Sequence, residues 1–198
     1  MIEHEYFVRL HSEFTVSQEL LAYCENHQQL TPLDNPSNKW TTFNHVPMPW
    51  DLLARDPLCQ RLRAEGWRGG IYCFFAESWY KFHLDTVNRP CVINMLLGEP
   101  HSHTLYLGDE LYRNQNQVLE VPYRPGLPIL MNTCRYHAVL NLSGPRYLLS
   151  WSPPAEWVQH LWQDHSQEED PRSRRIDPES AAEQVYLRAR EWVRAQGL

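Results

Sequence analysis

The chain has 198 residues, of which 42% are hydrophobic and 21% charged, and its formal net charge at pH 7 is −6. These values are typical of a soluble globular protein that can bury a substantial core, and they predict a single domain over residues 1–198. The negative charge and the lack of a clustered Lys/Arg stripe argue against a nucleic-acid partner, because phosphate binding relies on such clusters.

Nothing in the chain predicts secretion or membrane insertion. The N-terminal segment MIEHEYFVRL has acidic residues where a signal peptide needs a basic start and an apolar run. No apolar stretch approaches the roughly 18 residues of a membrane span. The cysteines are scattered without a Cys-x-x-Cys pair, which excludes a zinc ribbon and favours buried, reduced thiols. We therefore expect a cytoplasmic protein without a membrane partner.

Residues 1–66 are predicted to form a helical N-terminal support. Apolar residues at three-to-four spacing predict one helix over 15–29. A second helix is predicted over 49–65, where a Pro-Trp-Asp start precedes the helix and Gly66 ends it.

From residue 67 to 152 the pattern changes to short β-branched and aromatic runs separated by turn residues. The intervals are too short for crossover helices, which favours a sandwich or barrel over a parallel sheet. The eight predicted strands cover 71–75, 80–84, 91–97, 103–108, 117–121, 128–132, 136–142 and 146–152. The remainder, 153–198, is predicted to contain helices at 155–165 and 179–196, the second of them amphipathic.

Four residues in the β-rich region form an ordered set. His83 and Asp85 make a His-x-Asp pair in one predicted strand, His137 lies in a later strand, and Arg146 follows after a turn. Two imidazoles and one carboxylate can occupy one face of a divalent metal and leave the remaining positions open for chemistry. An arginine beyond them can pair with the far carboxylate of a dicarboxylic acid bound at that metal.

Strand alternation predicts which of these side chains share a face. His83 and Asp85 are predicted on one face of their strand, with Tyr80 on the other. His137 is predicted to share its face with Asn141, which could support the site or serve a turn. The alternative is a structural role for the histidines, because the chain has ten of them and a chance His-x-Asp pair is common.

The segments FHLDTVNRPCVIN and GLPILMNTCRYHAVLNLSGPRYLLSW resemble the iron(II)- and 2-oxoglutarate-dependent oxygenases. The resemblance covers roughly 67–152 and implies a mainly β fold, a double-stranded β-helix (jelly-roll) catalytic core, here with flanking N-terminal and C-terminal α-helices. It further implies that His83, Asp85 and His137 bind Fe(II). Arg146 would pair with the distal carboxylate of 2-oxoglutarate, the cosubstrate consumed with O₂.

Within this superfamily the segment HAVLNLSGPR is most similar to the aspartyl/asparaginyl and prolyl hydroxylase branches. The intact Asp85 departs from the first of these. The resemblance implies a dioxygenase that hydroxylates an amino-acid, peptidyl or small-metabolite substrate while converting 2-oxoglutarate to succinate. The substrate and the oligomeric state are left open by the sequence.

Further residues are candidates for the pocket. Tyr72, Phe74 and Trp151 could line it, although aromatic residues at strand spacing more often belong to the core. Asn94, a polar residue in an apolar strand, must be hydrogen-bonded if buried, either to the cosubstrate or within the fold. Arg89 follows the His-x-Asp strand and could meet an acidic substrate at the pocket mouth or be a solvated loop residue.

Two alternative functions compete with the oxygenase. His101 and His103 form a His-x-His pair like that of cupins, and His137 with Asn141 matches a second cupin motif, but the cupin glutamate is missing. This leaves a cupin-like metalloenzyme that does not use 2-oxoglutarate as one alternative. The other is a non-enzymatic jelly-roll binding module in which His83 and His137 are structural.

Overall fold

The computed structural model describes residues 3–28, 43–76, 78–85, 89–99, 102–107, 118–162 and 181–198. Its strands are β1 Phe7–Arg9, β2 Phe43–Val46, β3 Arg68–Phe74, β4 Ser78–His83, β5 Cys91–Leu96, β6 Ser102–Leu107, β7 Val118–Glu120, β8 Ile129–Asn132, β9 His137–Asn141 and β10 Arg146–Ser152. Its α-helices are α1 Gln18–His27, α2 Trp50–Leu53, α3 Pro57–Ala64, α4 Ala155–Val158 and α5 Ala181–Ala195. Short 3₁₀ turns cover Glu3–Glu5 and Gln159–Trp162.

The strands form two antiparallel sheets, so the described part of the chain is mainly β. The larger sheet has the order β1-β8-β5-β10-β3-β2, and the smaller one β4-β9-β6-β7. Successive strands from β3 to β6 alternate between the two sheets. This alternation brings strands that are far apart in sequence next to each other, which is what a site assembled from β4, β9 and β10 requires.

Two apolar clusters lie on opposite faces of the larger sheet. Along β10, Leu149 and Trp151 belong to a cluster that also contains side chains of α1, α3 and α5, whereas Leu148 belongs to a cluster shared with the smaller sheet. The alternation of successive side chains explains this division. β5 meets both clusters and is buried throughout, which accounts for its uninterrupted CVINML sequence.

Each of the eight strands predicted from the sequence is present, with small shifts at the ends. The predicted N-terminal support also contains two strands that the sequence did not reveal, β1 and β2, which pair with β8 and β3. They have only three and four residues, too few for a periodic pattern. The proposed division of the domain at residues 66 and 152 stays a prediction.

The prediction of one continuous helix over 49–65 was wrong, because the structure has two helices, α2 and α3, in this range. The break occurs at Asp56, whose carboxylate accepts a hydrogen bond from the backbone N–H of Cys59 at 2.9 Å and so caps α3. Pro57 takes the first position of α3, where its missing N–H is harmless. The helix predicted over 155–165 is reduced to α4 and a 3₁₀ turn within the described residues.

The other two predicted helices lie close to their expected positions. α1 begins after Ser17, whose hydroxyl accepts from the N–H of Leu20 at 3.1 Å. α5 covers most of the predicted amphipathic helix and buries Tyr186 and Val193. No helix in the described ranges is both long and apolar enough to cross a membrane.

Candidate active site

A cavity of about 120 Å³ lies between the two sheets. The lining residues come from both sheets and their loops: Phe43, Tyr72, Phe74, Tyr80, His83, Asp85, Arg89, Val92, Asn94, Thr104, Tyr123, Met131, Thr133, His137, Val139, Arg146 and Leu148.

The structure brings together the three residues predicted to bind a metal. One ligand atom each from His83, Asp85 and His137 lies within 4.8 Å of the others. Nε2 of His83 is 3.5 Å from Oδ1 of Asp85, and the centroids of the two imidazoles are 4.2 Å apart. Two imidazoles and a carboxylate at these separations are a donor set suited to a divalent transition metal.

Each imidazole is oriented by a carbonyl two residues earlier in the chain. Nδ1 of His83 lies 2.7 Å from the carbonyl oxygen of Lys81, and Nδ1 of His137 lies 2.9 Å from that of Arg135. A carbonyl can only accept, so Nδ1 donates and Nε2 keeps its lone pair. Both histidines are therefore held in the tautomer that offers Nε2 to a metal.

Burial keeps both imidazoles neutral. It lowers the pKa of His83, and it lowers the pKa of His137 from 6.5 to about 4, with the neighbouring His83 acting in the same direction. Because a metal binds only the neutral imidazole, these shifts favour metal binding at neutral pH.

The shift at His137 predicts a pH-dependent stability of the metal-free protein. The unfolded chain takes up a proton near pH 6.5, whereas folded His137 does so only near pH 4, so stability should fall as the pH is lowered between these values. Above about pH 6.5, His137 contributes nothing to the pH dependence of stability, because it is neutral in both the folded and the unfolded chain. The loss should approach about 3 kcal/mol by pH 4. Urea unfolding with a chelator at pH 7 and pH 4.5 measures it.

His137→Asn keeps a donor for the Arg135 carbonyl but removes the titrating ring, so it should reduce the pH-dependent loss. His11→Asn provides the matched control and should leave the loss unchanged, since His11 is exposed and does not line the cavity. An equal loss in the His137→Asn variant would contradict the assignment to His137.

The prediction that Tyr80 lies on the opposite face of β4 from His83 was wrong. Tyr80 pairs with Val139 and His83 with His137, so β4 has three steps where β9 has two. This one-residue bulge reverses the alternation and places the Tyr80 ring 4.2 Å from the His83 ring, inside the cavity.

Arg146 is the most deeply buried charged group of the cavity, with 1% of its surface exposed. Its Nη2 donates to Oγ1 of Thr104 at 3.1 Å, and its guanidinium lies over the rings of Phe74 and Tyr123. Nε and Nη1 have no hydrogen-bond partner among the described residues. Burial lowers the pKa of Arg146, but arginine stays charged at neutral pH.

A buried cation with unused donors and, among the described residues, neutral contacts with Thr104, Phe74 and Tyr123 is suited to an anion, because an unpaired buried charge is strongly unfavourable. The strand register relates Thr104, the hydrogen-bond partner of Arg146, to the candidate metal ligands. Thr104, which contacts Arg146, pairs with Val139, two residues along β9 from His137. Two residues of strand span roughly 7 Å. A five-carbon dicarboxylate can bridge such a span.

The amide of Asn94 is used within the fold. Its Nδ2 donates to the hydroxyl of Tyr123 at 3.0 Å and contacts Sδ of Met131 at 3.2 Å. Asn94 thus orients Tyr123 beside Arg146. Direct contact between Asn94 and a cosubstrate stays a prediction. Tyr123 and Thr104 were missed by sequence reasoning, although a threonine on the buried face of HTLYLG was a usable signal.

Arg89 is not the solvated loop residue that the sequence favoured. Its side chain lines the cavity, where Nη1 donates to the hydroxyl of Tyr72 at 3.1 Å and Nη2 to Oγ of Ser150 at 2.8 Å. Its backbone carbonyl accepts from the hydroxyl of Thr133. The sequence could not show this, because Arg89 belongs to a loop.

Of the three aromatic candidates, Tyr72 and Phe74 line the cavity, whereas Trp151 has the alternative core position. It lies on the opposite face of β10, in the cluster shared with the helices. Asn141 is also structural, since its Nδ2 donates to three backbone carbonyls, including that of Gly144 at 2.9 Å. His101 lies outside the described residues.

The turn after β8 positions two of the three candidate ligands. The carbonyl of Thr133 accepts from the N–H of Asp85 at 2.9 Å, and the carbonyl of Arg135 accepts from His137. The turn is itself anchored by the fully buried Asn132, whose amide donates to the carboxylate of Glu183 in α5 at 3.0 Å. The C-terminal helix therefore supports the site without contacting the cavity.

Comparison with protein families and with curated proteins finds no match. Among solved structures, the chain is similar to a prolyl-4-hydroxylase from Pseudomonas putida, with a TM-score of 0.50 and 16% identity over 75% of this chain and 92% of that one. It is also similar to SnoK, a non-heme α-ketoglutarate-dependent carbocyclase from nogalamycin biosynthesis, with a TM-score of 0.50 and 14% identity over 76% and 81%. The chain thus shares its fold with enzymes of the superfamily that its sequence resembles.

Proposed function

We propose that the protein is an Fe(II)- and 2-oxoglutarate-dependent dioxygenase that hydroxylates an amino-acid, peptidyl or small-metabolite substrate. The observation that carries this proposal is the presence, in one cavity, of a His-Asp-His cluster with neutral imidazoles and a buried guanidinium with unused donors. Neither a nucleic acid nor a membrane is part of the proposed activity.

The order of the strands supports a double-stranded β-helix for the proposed catalytic core. The strands β3 to β10 divide into the orders β8-β5-β10-β3 and β4-β9-β6-β7. Four antiparallel strands thus face four others, and the cavity lies between them. β1 and β2 extend the larger sheet at its two edges.

The residues present fit an iron site. Nε2 of His83, a carboxylate oxygen of Asp85 and Nε2 of His137 would hold the metal, since this combination of ligands leaves positions free for other groups. When bound there, Fe(II) would couple the decarboxylation of 2-oxoglutarate by O₂ to hydroxylation of the substrate. The two carbonyls that accept from the imidazoles keep each Nε2 in position.

The cosubstrate would lie between the metal ligands and Arg146. The guanidinium would donate to its distal carboxylate through the unused Nε and Nη1 groups, with Thr104 and Tyr123 beside it. Phe74, Val92 and Leu148 supply apolar walls that exclude water from the reacting groups.

Thermal melts separate the three candidate functions. With Mn(II), which does not react, 2-oxoglutarate at a hundredfold excess over its Kd should add about 2.7 kcal/mol. For a chain of this size this raises the Tm by roughly 5–10 °C. A cupin-like enzyme predicts stabilisation by Mn(II) with no response to 2-oxoglutarate, and a binding module predicts no response to either. Either of these results would contradict the proposal.

A further inference from the structure

Arg89 is a second guanidinium of the cavity, and the proposed function leaves it without an anion. Its two hydrogen-bond partners, Tyr72 and Ser150, are neutral hydroxyls. Its Nε is buried without a partner among the described residues. The guanidinium also lies 5.0 Å from the centroid of the Tyr72 ring. Arg89 is therefore ordered and charged, yet its charge is not neutralised by a neighbouring carboxylate in the described part of the cavity.

The charges of the cavity predict what would neutralise Arg89. Among its described lining residues, the charged groups at neutral pH are Asp85, Arg89 and Arg146. The two positive charges of a divalent metal and the two negative charges of 2-oxoglutarate cancel each other. Asp85 balances one arginine, so the loaded cavity retains one positive charge. A single additional anionic group would restore neutrality, which a low-dielectric site strongly favours.

Arg89 and Arg146 are anchored at different points of the cavity wall. Arg89 contacts Ser150, whose Cα lies four residues along β10 from that of Arg146, a backbone span of roughly 13 Å. The backbone groups of Arg89 and Asp85 both hydrogen-bond to Thr133, which places Arg89 at the metal-binding end. A carboxylate held by Arg89 is thus distinct from the one held by Arg146.

Aromatic side chains beside Arg89 supply an apolar surface. The ring of Phe43 packs edge-on at 5.5 Å against both Tyr72 and Tyr80. All three rings line the cavity, and Tyr72 also contacts the guanidinium of Arg89. The guanidinium of Arg89 therefore lies beside an apolar surface formed by the three aromatic rings.

We propose that Arg89 binds the carboxylate of the substrate, and that the substrate is a small monocarboxylic acid whose apolar body packs against Phe43, Tyr72 and Tyr80. This inference rests on the proposed function, because the charge balance assumes a bound metal and 2-oxoglutarate. Arg89 is ordered by its contacts with Tyr72 and Ser150 before a ligand arrives, so little conformational entropy is lost on binding.

The test uses the full chain loaded with Mn(II) and 2-oxoglutarate. Its probes are a panel of acids that includes 3-phenylpropionate, hexanoate and benzoate, each paired with its neutral primary amide and tested at millimolar concentration. Binding is measured as a further rise in Tm and by calorimetric titration. At least one acid should bind while its amide does not. Arg89→Gln should weaken that binding by about 10- to 100-fold, because a charge-assisted hydrogen bond is lost.

Arg89→Lys should recover part of the affinity, and Arg124→Gln is the matched control, since the exposed Arg124 does not line the cavity. If Arg89→Gln fails to fold, Ser150→Ala keeps the charge but removes one positioning bond, and it should weaken the acid several-fold. Equal binding of acids and amides, undiminished binding in Arg89→Gln, or no binding of any acid would overturn the proposal.

The 2-oxoglutarate response separates this inference from the proposed function. Arg89→Gln should keep the stabilisation of the Mn(II) form by 2-oxoglutarate. Loss of that response in the variant alone would show that Arg89 holds the cosubstrate, and the inference would be wrong. Loss of the response in the unaltered chain would instead contradict the proposed function.

Discussion

Replacing Asp85 with alanine should abolish metal-dependent turnover of 2-oxoglutarate and weaken Mn(II) binding by more than about 100-fold. Losing a residue that only supports a metal ligand already weakens binding by up to about 100-fold, and Asp85 is proposed as a ligand itself. Asp85 supplies the only negative charge of the candidate cluster, 3.5 Å from Nε2 of His83. Without it, two neutral imidazoles remain, and neither balances the charge of the metal. Calorimetric titration with Mn(II) measures the change.

Asp51→Ala is the matched control for this substitution, because Asp51 is exposed in α2 and does not line the cavity. It should bind Mn(II) like the unaltered chain. A folded Asp85→Ala variant with unchanged Mn(II) affinity would show that the metal binds elsewhere, and the proposed role of the His-x-Asp pair would fail.

Arg146→Met should have opposite effects on the free and the loaded protein. In the free protein the guanidinium is buried without a counter-ion among the described residues, and replacing even a buried ion pair with apolar side chains of similar volume is often neutral or stabilising by about 1–4 kcal/mol. The free variant should therefore melt at the same or a higher temperature. Binding of 2-oxoglutarate should weaken by about 2–5 kcal/mol, because its buried carboxylate loses its partner.

This pair of effects distinguishes a binding residue from a structural one. If Arg146 had only a structural role, its replacement would destabilise the free protein. The fraction of the variant that folds would then bind 2-oxoglutarate with unchanged affinity. Arg124→Met, an exposed arginine outside the cavity, should change neither quantity. The free energy of unfolding and the Kd for 2-oxoglutarate in the presence of Mn(II) are the two measurements.

The sequence predicted the strands because they follow from local patterns, whereas the clustering of the metal-binding candidates also depends on which strands are neighbours. Alternation and turn residues define the strands. A His-x-Asp pair at a strand end and a histidine in a later strand can meet only if those strands are neighbours. The antiparallel pairing of β4 with β9 makes them neighbours. The resemblance to a known superfamily identified the dicarboxylic acid expected at Arg146 as 2-oxoglutarate.

The parts of the site that were not predicted depend on features without a local pattern. A single extra residue in β4 moved Tyr80 into the cavity, and no periodicity marks such a bulge. Arg89 and Tyr123 reach the cavity from segments outside the predicted strands. The sequence left open whether Trp151 lines the cavity or belongs to the core, because both faces of β10 are buried and apolar alternation does not distinguish them.

A crystal structure of the protein with Mn(II) and 2-oxoglutarate tests the central claim most directly. The metal should be bound by Nε2 of His83, the carboxylate of Asp85 and Nε2 of His137. The keto acid end of 2-oxoglutarate should chelate the metal, and its distal carboxylate should accept hydrogen bonds from Arg146. A metal bound away from this cluster, or a distal carboxylate that does not contact Arg146, would contradict the account.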